Sequence, residues 1–228
     1  MVTVVAGSDT YGRVKSVAGV PIVTKFAMLH MLPLWPLASW YALGESTRET
    51  TGVPMLATHS KSTMPAIPLA SLDRASVVMA YLRGVFGAFA LLGFIPVLFV
   101  GIMMLTGEHL DDFAAIAFRI ALGALALGIV GGGATYLFGR ASARDRDLRL
   151  CCSELIRLPI DPARVQATDH DWILEASRAA AAESGARDGR ATHLLQLVEA
   201  RLAIGRGAET DLHERKTEEL LAKLVKPE

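Results

Sequence analysis

The sequence predicts a membrane α-helical hairpin of two transmembrane helices, with a small N-terminal antiparallel β module before it and a C-terminal all-α tail behind it. Three observations carry that prediction. Val85 to Leu105 contains no charged residue and Phe113 to Phe138 contains one, Arg119. At about 1.5 Å of rise per residue, each segment reaches roughly 30 Å, the thickness of a bilayer's hydrocarbon core. The link between them is short and acidic, with Glu108, His109, Asp111 and Asp112, so the two helices lie antiparallel. These limits divide the chain into a β module at 1–69 that can rest at the membrane interface, an amphipathic lead-in helix at 70–84, the hairpin at 85–138, and a cytoplasmic helical domain at 139–228.

The bulk composition agrees with a chain that is part membrane and part soluble. Of 228 residues, 52% are hydrophobic and 20% charged, and the formal net charge is zero, which gives no reason to expect nucleic acid. The charges are informative by location. Arg74 and Arg83 precede the first span and Arg140, Arg144, Arg146 and Arg149 follow the second, whereas the link has neither Lys nor Arg. By the positive-inside rule both termini are cytoplasmic, with the hairpin in the inner (plasma) membrane. Cys151 and Cys152 are the only cysteines, so no disulfide framework is expected. Lys25 followed by the uncharged run Phe26 to Leu43 has the outline of a leader, but Pro33 and Pro36 inside it argue against cleavage.

In chain order, Thr3 to Val5, Thr10 to Val17, Val20 to Leu32, Ser39 to Glu45 and Gly52 to Thr58 read as short strands bounded by Gly or Pro, forming a small antiparallel meander. The run Leu32-Pro33-Leu34-Trp35-Pro36-Leu37 reads as a turn or extended link, because two prolines remove two amide donors from any ladder. Trp35, Trp40 and Tyr41 have two readings, aromatics at the membrane interface or the core of a small module. A third reading, a helix over Phe26 to Leu43 that enters the membrane, puts the prolines where lipid demands an intact backbone ladder.

The residues Tyr11-Gly12-Arg13, Pro21 to Phe26, Pro33-Leu34-Trp35-Pro36-Leu37 and Ser39-Trp40-Tyr41 resemble the opening module of uncharacterised bacterial small integral membrane proteins with a Pro-Leu-x-Pro-Leu turn before their spans. The resemblance covers about the first fifth of the chain and implies no known activity. Relatives of that kind sometimes carry the turn behind a zinc ribbon. This chain has no Cys-x-x-Cys pair before the hairpin.

From Ser71, a plausible N-cap, to Arg83, apolar residues recur at helical spacing. In the second span Ala124, Gly128 and Gly132 form a small-residue ridge that suits close helix packing, either as a homodimer seam or within the hairpin. Pro96 is expected to kink the first span. In the tail, Leu148 to Ile156 form one stripe, and Asp161-Pro162 is a cap followed by proline. Further helices start near Thr168-Asp169, around Leu194 to Leu202 and at Thr210, with Gly185, Gly205 with Gly207, and Pro227 as stops.

No catalytic constellation is visible, and no cofactor is expected. The glycines at 128 and 131–133 lie inside an apolar span with no strand before them, so they are packing residues rather than a dinucleotide turn. His170 between Asp169 and Asp171 is explained by helix capping as well as by a metal. Cys151 and Cys152 suit either lipidation or burial on the apolar stripe. The run Arg140 to Arg149, interrupted by Asp145 and Asp147, reads as an ordinary cytoplasmic flank. These features point to a non-catalytic integral membrane anchor or adaptor. Its partners are the lipid bilayer and either further copies of itself or an unidentified membrane or cytoplasmic protein. The alternative is a subunit of an oligomeric channel or transporter, for which Arg119 is the one intramembrane charge.

Overall fold

The computed structural model describes residues 4–29, 32–44, 47–53, 57–106, 112–184 and 189–225. The acidic link at Glu108, His109 and Asp111, and the stops Gly185 and Pro227, lie outside them. Six strands, β1 (Val4–Val17), β2 (Val20–Leu29), β3 (Leu32–Ala42), β4 (Thr47–Val53), β5 (Ala57–Thr63) and β6 (Ala66–Pro68), form one sheet in the order β4-β5-β1-β2-β3-β6. The expected meander is present as β1-β2-β3, and β6 extends it antiparallel. The sheet as a whole is mixed, because the β4–β5 hairpin adds to the far edge with β5 parallel to β1.

Two features of the sheet differ from expectation. The Pro33–Leu37 run is part of β3 and not a link. Phe26 faces Pro36 and Met28 faces Pro33, and the register slips by one residue beside each proline. Over this stretch β3 has β2 on one side only, since β6 pairs no further than Trp40. Prolines are tolerated on such an edge and at bulges, where no amide donor is called for. The second feature is β1 itself, which carries two bulges against β2, between Tyr11 and Val14 and between Val14 and Val17. Gly12 and Lys15 there have positive φ, +71° and +50°. Ala18 and Gly19, also at positive φ, make the tight two-residue turn into β2.

Helix α1 (Arg74–Leu105) is one uninterrupted element through Pro96, so the expected lead-in helix is its first three turns and not a separate piece. Its N-cap is Asp73, whose carboxylate accepts from the Ser76 amide at 2.8 Å, and not Ser71. Helix α2 (Asp112–Phe138) packs antiparallel along it. Both α1 and α2 are long and apolar enough to cross a membrane. Their mutual face repeats every seven residues, with Gly93 and Val100 buried on α1 and Ala121, Gly128 and Thr135 on α2. That spacing is the one left-handed helix pairs use to keep a seam in register.

The tail follows its sequence closely: α3 (Ala143–Ile156), 3-10 turns at Pro162–Arg164 and Ala167–Asp169, then α4 (His170–Glu183), α5 (Gly189–Gly205) and α6 (Thr210–Val225). Asp161 caps the first of these turns ahead of Pro162, and Gly207 takes φ +81° beyond α5. The tail is not a separate domain, however. Val14, Val20, Ile22, Tyr41, Ile67 and Leu69 of the sheet share one core with Leu148, Cys152, Leu155, Ile173, Leu197 and Leu202 of the helices. Backbone bonds stitch the seam: Ala70 donates to Arg164 at 2.8 Å, Gln166 to Pro68 at 3.2 Å, and Leu69 bridges Val165. The hairpin is therefore an excursion out of one α/β domain that the chain enters before α1 and re-enters after α2.

A shared core makes a prediction that two separate domains would not. Leu197→Ala on α5, fully buried, removes side-chain volume from that core at a cost of about 2–5 kcal/mol. Amide hydrogen exchange should then accelerate in β2 and β3 together with α5. Unchanged sheet protection would show that sheet and tail unfold independently.

Candidate functional site

The place where the hairpin meets the domain is built from the bulged segment of β1. Bulging turns the carbonyls of Gly12, Arg13 and Lys15 out of the ladder, and each is met by a helix side chain. Ser76 Oγ donates to Gly12 O at 2.7 Å, Arg83 Nη1 to Arg13 O at 3.0 Å, and Arg149 Nη1 to Lys15 O at 2.5 Å. The Lys15 amide donates to Gly139 O, just past α2, at 2.6 Å. Gly12 is required twice over: its backbone is left-handed, and a Cβ there would collide with Ser76 O.

Beside this seam lies a buried hydroxyl chain. Thr24 Oγ1 bonds Ser76 Oγ at 2.9 Å and Ser39 Oγ at 2.8 Å, and Ser39 Oγ accepts from the Asp73 amide at 2.9 Å. Asp73 ties the seam to the tail as well, pairing with Lys15 at 2.9 Å and with Arg164. Burial pushes its carboxyl up, but the Lys15 and Arg164 bonds and the Ser76 amide outweigh this and hold it below the ordinary carboxylate range.

Arg149, expected on a solvated flank, is fully buried instead. It donates to Pro159 O at 2.7 Å and Val20 O at 2.6 Å as well as to Lys15 O, and its guanidinium lies 4.9 Å from the centre of the Tyr41 ring. The bulge at Lys15, the start of β2 and the loop after α3 each present a carbonyl here, and a planar five-donor fork satisfies all three at once. Tyr41 is also fully buried. Its hydroxyl accepts from the Asp161 amide at 3.2 Å, so its ring belongs to the core and not to a membrane interface. Asp161 in turn holds the buried Arg201 with two bonds, 2.9 and 2.7 Å. Neither buried arginine is separable by sequence from its exposed neighbours.

The other expected site residues fall as follows. Trp35 is 71% exposed, with Leu34 and Leu37 exposed beside it, and Tyr81 donates to Leu34 O at 3.0 Å. Trp40 is half-buried. Gly128 packs inside the hairpin, where a Cβ would collide with the Ala90 backbone; Ala124 and Gly132 are half-buried beside it. Arg119 is on an exposed face of α2, about two turns beyond Asp112. Cys151 and Cys152 are buried free thiols, and burial raises both out of the thiolate range. His170 is buried against Val165 O at 3.1 Å, while Asp171 pairs with Arg206. Among the described residues no three His, Cys, Asp or Glu side chains converge on a metal position.

An open cleft of about 540 Å³ adjoins the seam, lined by Arg13, Lys15, Arg83, Arg140, Arg146 and Tyr136 among others. Arg83 is fixed at its edge. Nε donates to Thr135 Oγ1 at 3.1 Å, Nη2 to Thr135 O at 3.4 Å, and the guanidinium lies 4.2 Å from the Tyr136 ring centre. This clasp joins α1 to α2 at the foot of the hairpin, and reading the sequence segment by segment does not reveal it.

Two predictions follow from this geometry. Gly128→Leu should lower the melting temperature of the detergent-purified protein by several degrees, whereas Gly133→Leu, which meets open space, should leave it unchanged. Equal effects would mean that the ridge packs against another molecule. For Asp73, a carboxyl lowered on folding stabilises the protein above its unfolded value, about 3.9, and that contribution is lost as the pH falls through the folded value. Asp73→Asn should therefore destabilise at neutral pH and flatten the acid limb of the stability profile. An acid limb of unchanged steepness would exclude Asp73 as its source. Comparison with protein-family models, with curated proteins and with solved structures finds no match to this chain.

Proposed function

We propose that this chain is a non-catalytic membrane anchor or adaptor. Its hairpin crosses the bacterial inner membrane, and its α/β domain is held on the cytoplasmic face to engage a protein partner. The observation that carries the reading is the continuity of α1. It is capped by Asp73 inside the domain and runs on without a linker into an apolar hairpin whose outer residues, such as Leu92, Phe99, Ile120 and Val130, are exposed. Apolar surface on that scale is suited to lipid and would drive association in water. The arginines at 74, 83, 140, 144 and 146 cluster on the domain side, which favours a cytoplasmic domain.

The foot of the domain suits an interface as well. Thr24 lies level with Ser76 and Phe26 with Tyr81, so β2 climbs beside α1 towards the spans. At about 3.3 Å per strand residue, the β2–β3 end reaches roughly the level of Val85, with Trp35 exposed next to it. Trp35 would then sit among headgroups, where an amphipathic ring is favoured.

The test combines location with partnership. A cysteine replacing Glu108 should react with an impermeant reagent from the periplasmic side, and the protein should stay in the membrane through carbonate extraction. Labelling from the cytoplasm alone would overturn the orientation, and release by carbonate would overturn the anchor. In-cell crosslinking before purification should then bring down a second protein in stoichiometric amount. Self-crosslinks alone would favour a homo-oligomer.

A further inference from the structure

We propose that the basic cleft at the foot of the hairpin binds the phosphate of an anionic lipid headgroup. The source of the phosphate rests on the membrane reading above; the phosphate chemistry rests on the cleft. Its cations come from four separated stretches: Arg13 and Lys15 from β1, Arg83 from α1, Arg140 from the link after α2, and Arg146 from α3. Among the described residues no carboxylate lines it. Lys15 is neutralised by Asp73, and the exposed Arg146 approaches the half-buried Asp147 at 3.5 Å. Arg13, Arg83 and Arg140 have no carboxylate partner among the described residues. Three like charges brought together by folding, with nothing opposite them, are a cost unless an anion completes the arrangement.

The donors suit phosphate in particular. Arg83 uses three of its five N–H groups on Thr135 and Arg13 carbonyl and hydroxyl oxygens, which leaves two fixed in direction. An arginine fork so held matches the oxygens of a phosphodiester. The second observation separates a lipid from a soluble phosphate. A groove of about 380 Å³ shares Arg13, Arg83 and Tyr136 with the cleft and continues along α1 past Ala80 and Gly84. Gly84 is the residue before the charge-free span begins. A headgroup in the cleft would therefore have its glycerol and first acyl carbons at the mouth of a groove that ends at Gly84, beside the start of the span.

The test uses the full chain purified in mild detergent, supplied with phosphatidylglycerol or phosphatidylcholine and examined by native mass spectrometry. The expected result is retention of phosphatidylglycerol well above phosphatidylcholine. In the variant Arg13→Gln/Arg140→Gln/Arg146→Gln, retention should fall by about five-fold per cation removed. The matching triple lysine variant should keep most of it. Arg178→Gln/Arg206→Gln, whose guanidiniums pair with Glu199 and Asp171 on the tail helices, should retain phosphatidylglycerol like the parent.

Equal retention by the parent and the glutamine triple variant overturns the cleft as the site. An equal loss in the Arg178 and Arg206 control overturns it in favour of net charge. Displacement of the lipid by glycerol 3-phosphate in solution overturns the lipid assignment and leaves a soluble phosphate site. Carbonate extraction of the same proteins separates these results from a failure of the membrane reading, because a protein that stays in the membrane and yet shows no preference sinks the cleft alone.

Discussion

Four residues of β1, from Gly12 to Lys15, determine how the rest of the molecule is assembled. A regular strand spends its carbonyls on neighbouring strands, but two bulges in close succession release three of them. α1 takes two through Ser76 and Arg83, and α3 takes one through Arg149. The same four residues thus fix the entry to the hairpin, its exit beside Gly139, and the position of the tail. The Gly12 oxygen is buried, where the lack of a donor would cost about 1–3 kcal/mol, so α1 and the sheet stabilise one another's placement.

The regularity of the tail was legible because its signals are local. A cap and a proline at Asp161-Pro162, one-sided stripes, and glycines beyond α5 all act within a few residues, and the helices begin and end close to where those signals lie. The two apolar helices were legible for the same reason, since length and composition suffice. The sheet was less so. Pro33 and Pro36 argue against a strand only where both edges are paired, and whether an edge is free depends on how far β6 reaches, which no local pattern encodes.

The candidate site was nearly illegible. Arg149 sits in a run with Arg144 and Arg146 and looks like them, yet it is buried beneath Tyr41, because two of the three carbonyls it serves, those of Lys15 and Val20, are more than a hundred residues earlier in the chain. Tyr41 beside Trp40 had the composition of an interface aromatic, and only the docking of the tail encloses it. The glycine ridge was a closer case: its periodicity was plain, and the structure directs Gly128 to Ala90 within the same hairpin. Long-range contacts, and not local preference, decided each of these positions.

The unbroken course of α1 has a mechanical consequence. Its first turns are gripped by the domain and its remainder lies against α2, with Arg83 and Thr135 clasped where the two parts meet. With no hinge between them, a change in the tilt of the hairpin becomes a rotation of the whole domain, as a mast turns the hull it is stepped in. Helices longer than the local hydrocarbon thickness adapt by tilting. With the hairpin seated in a bilayer, as proposed above, a change in bilayer thickness therefore turns a different face of the domain towards the solvent.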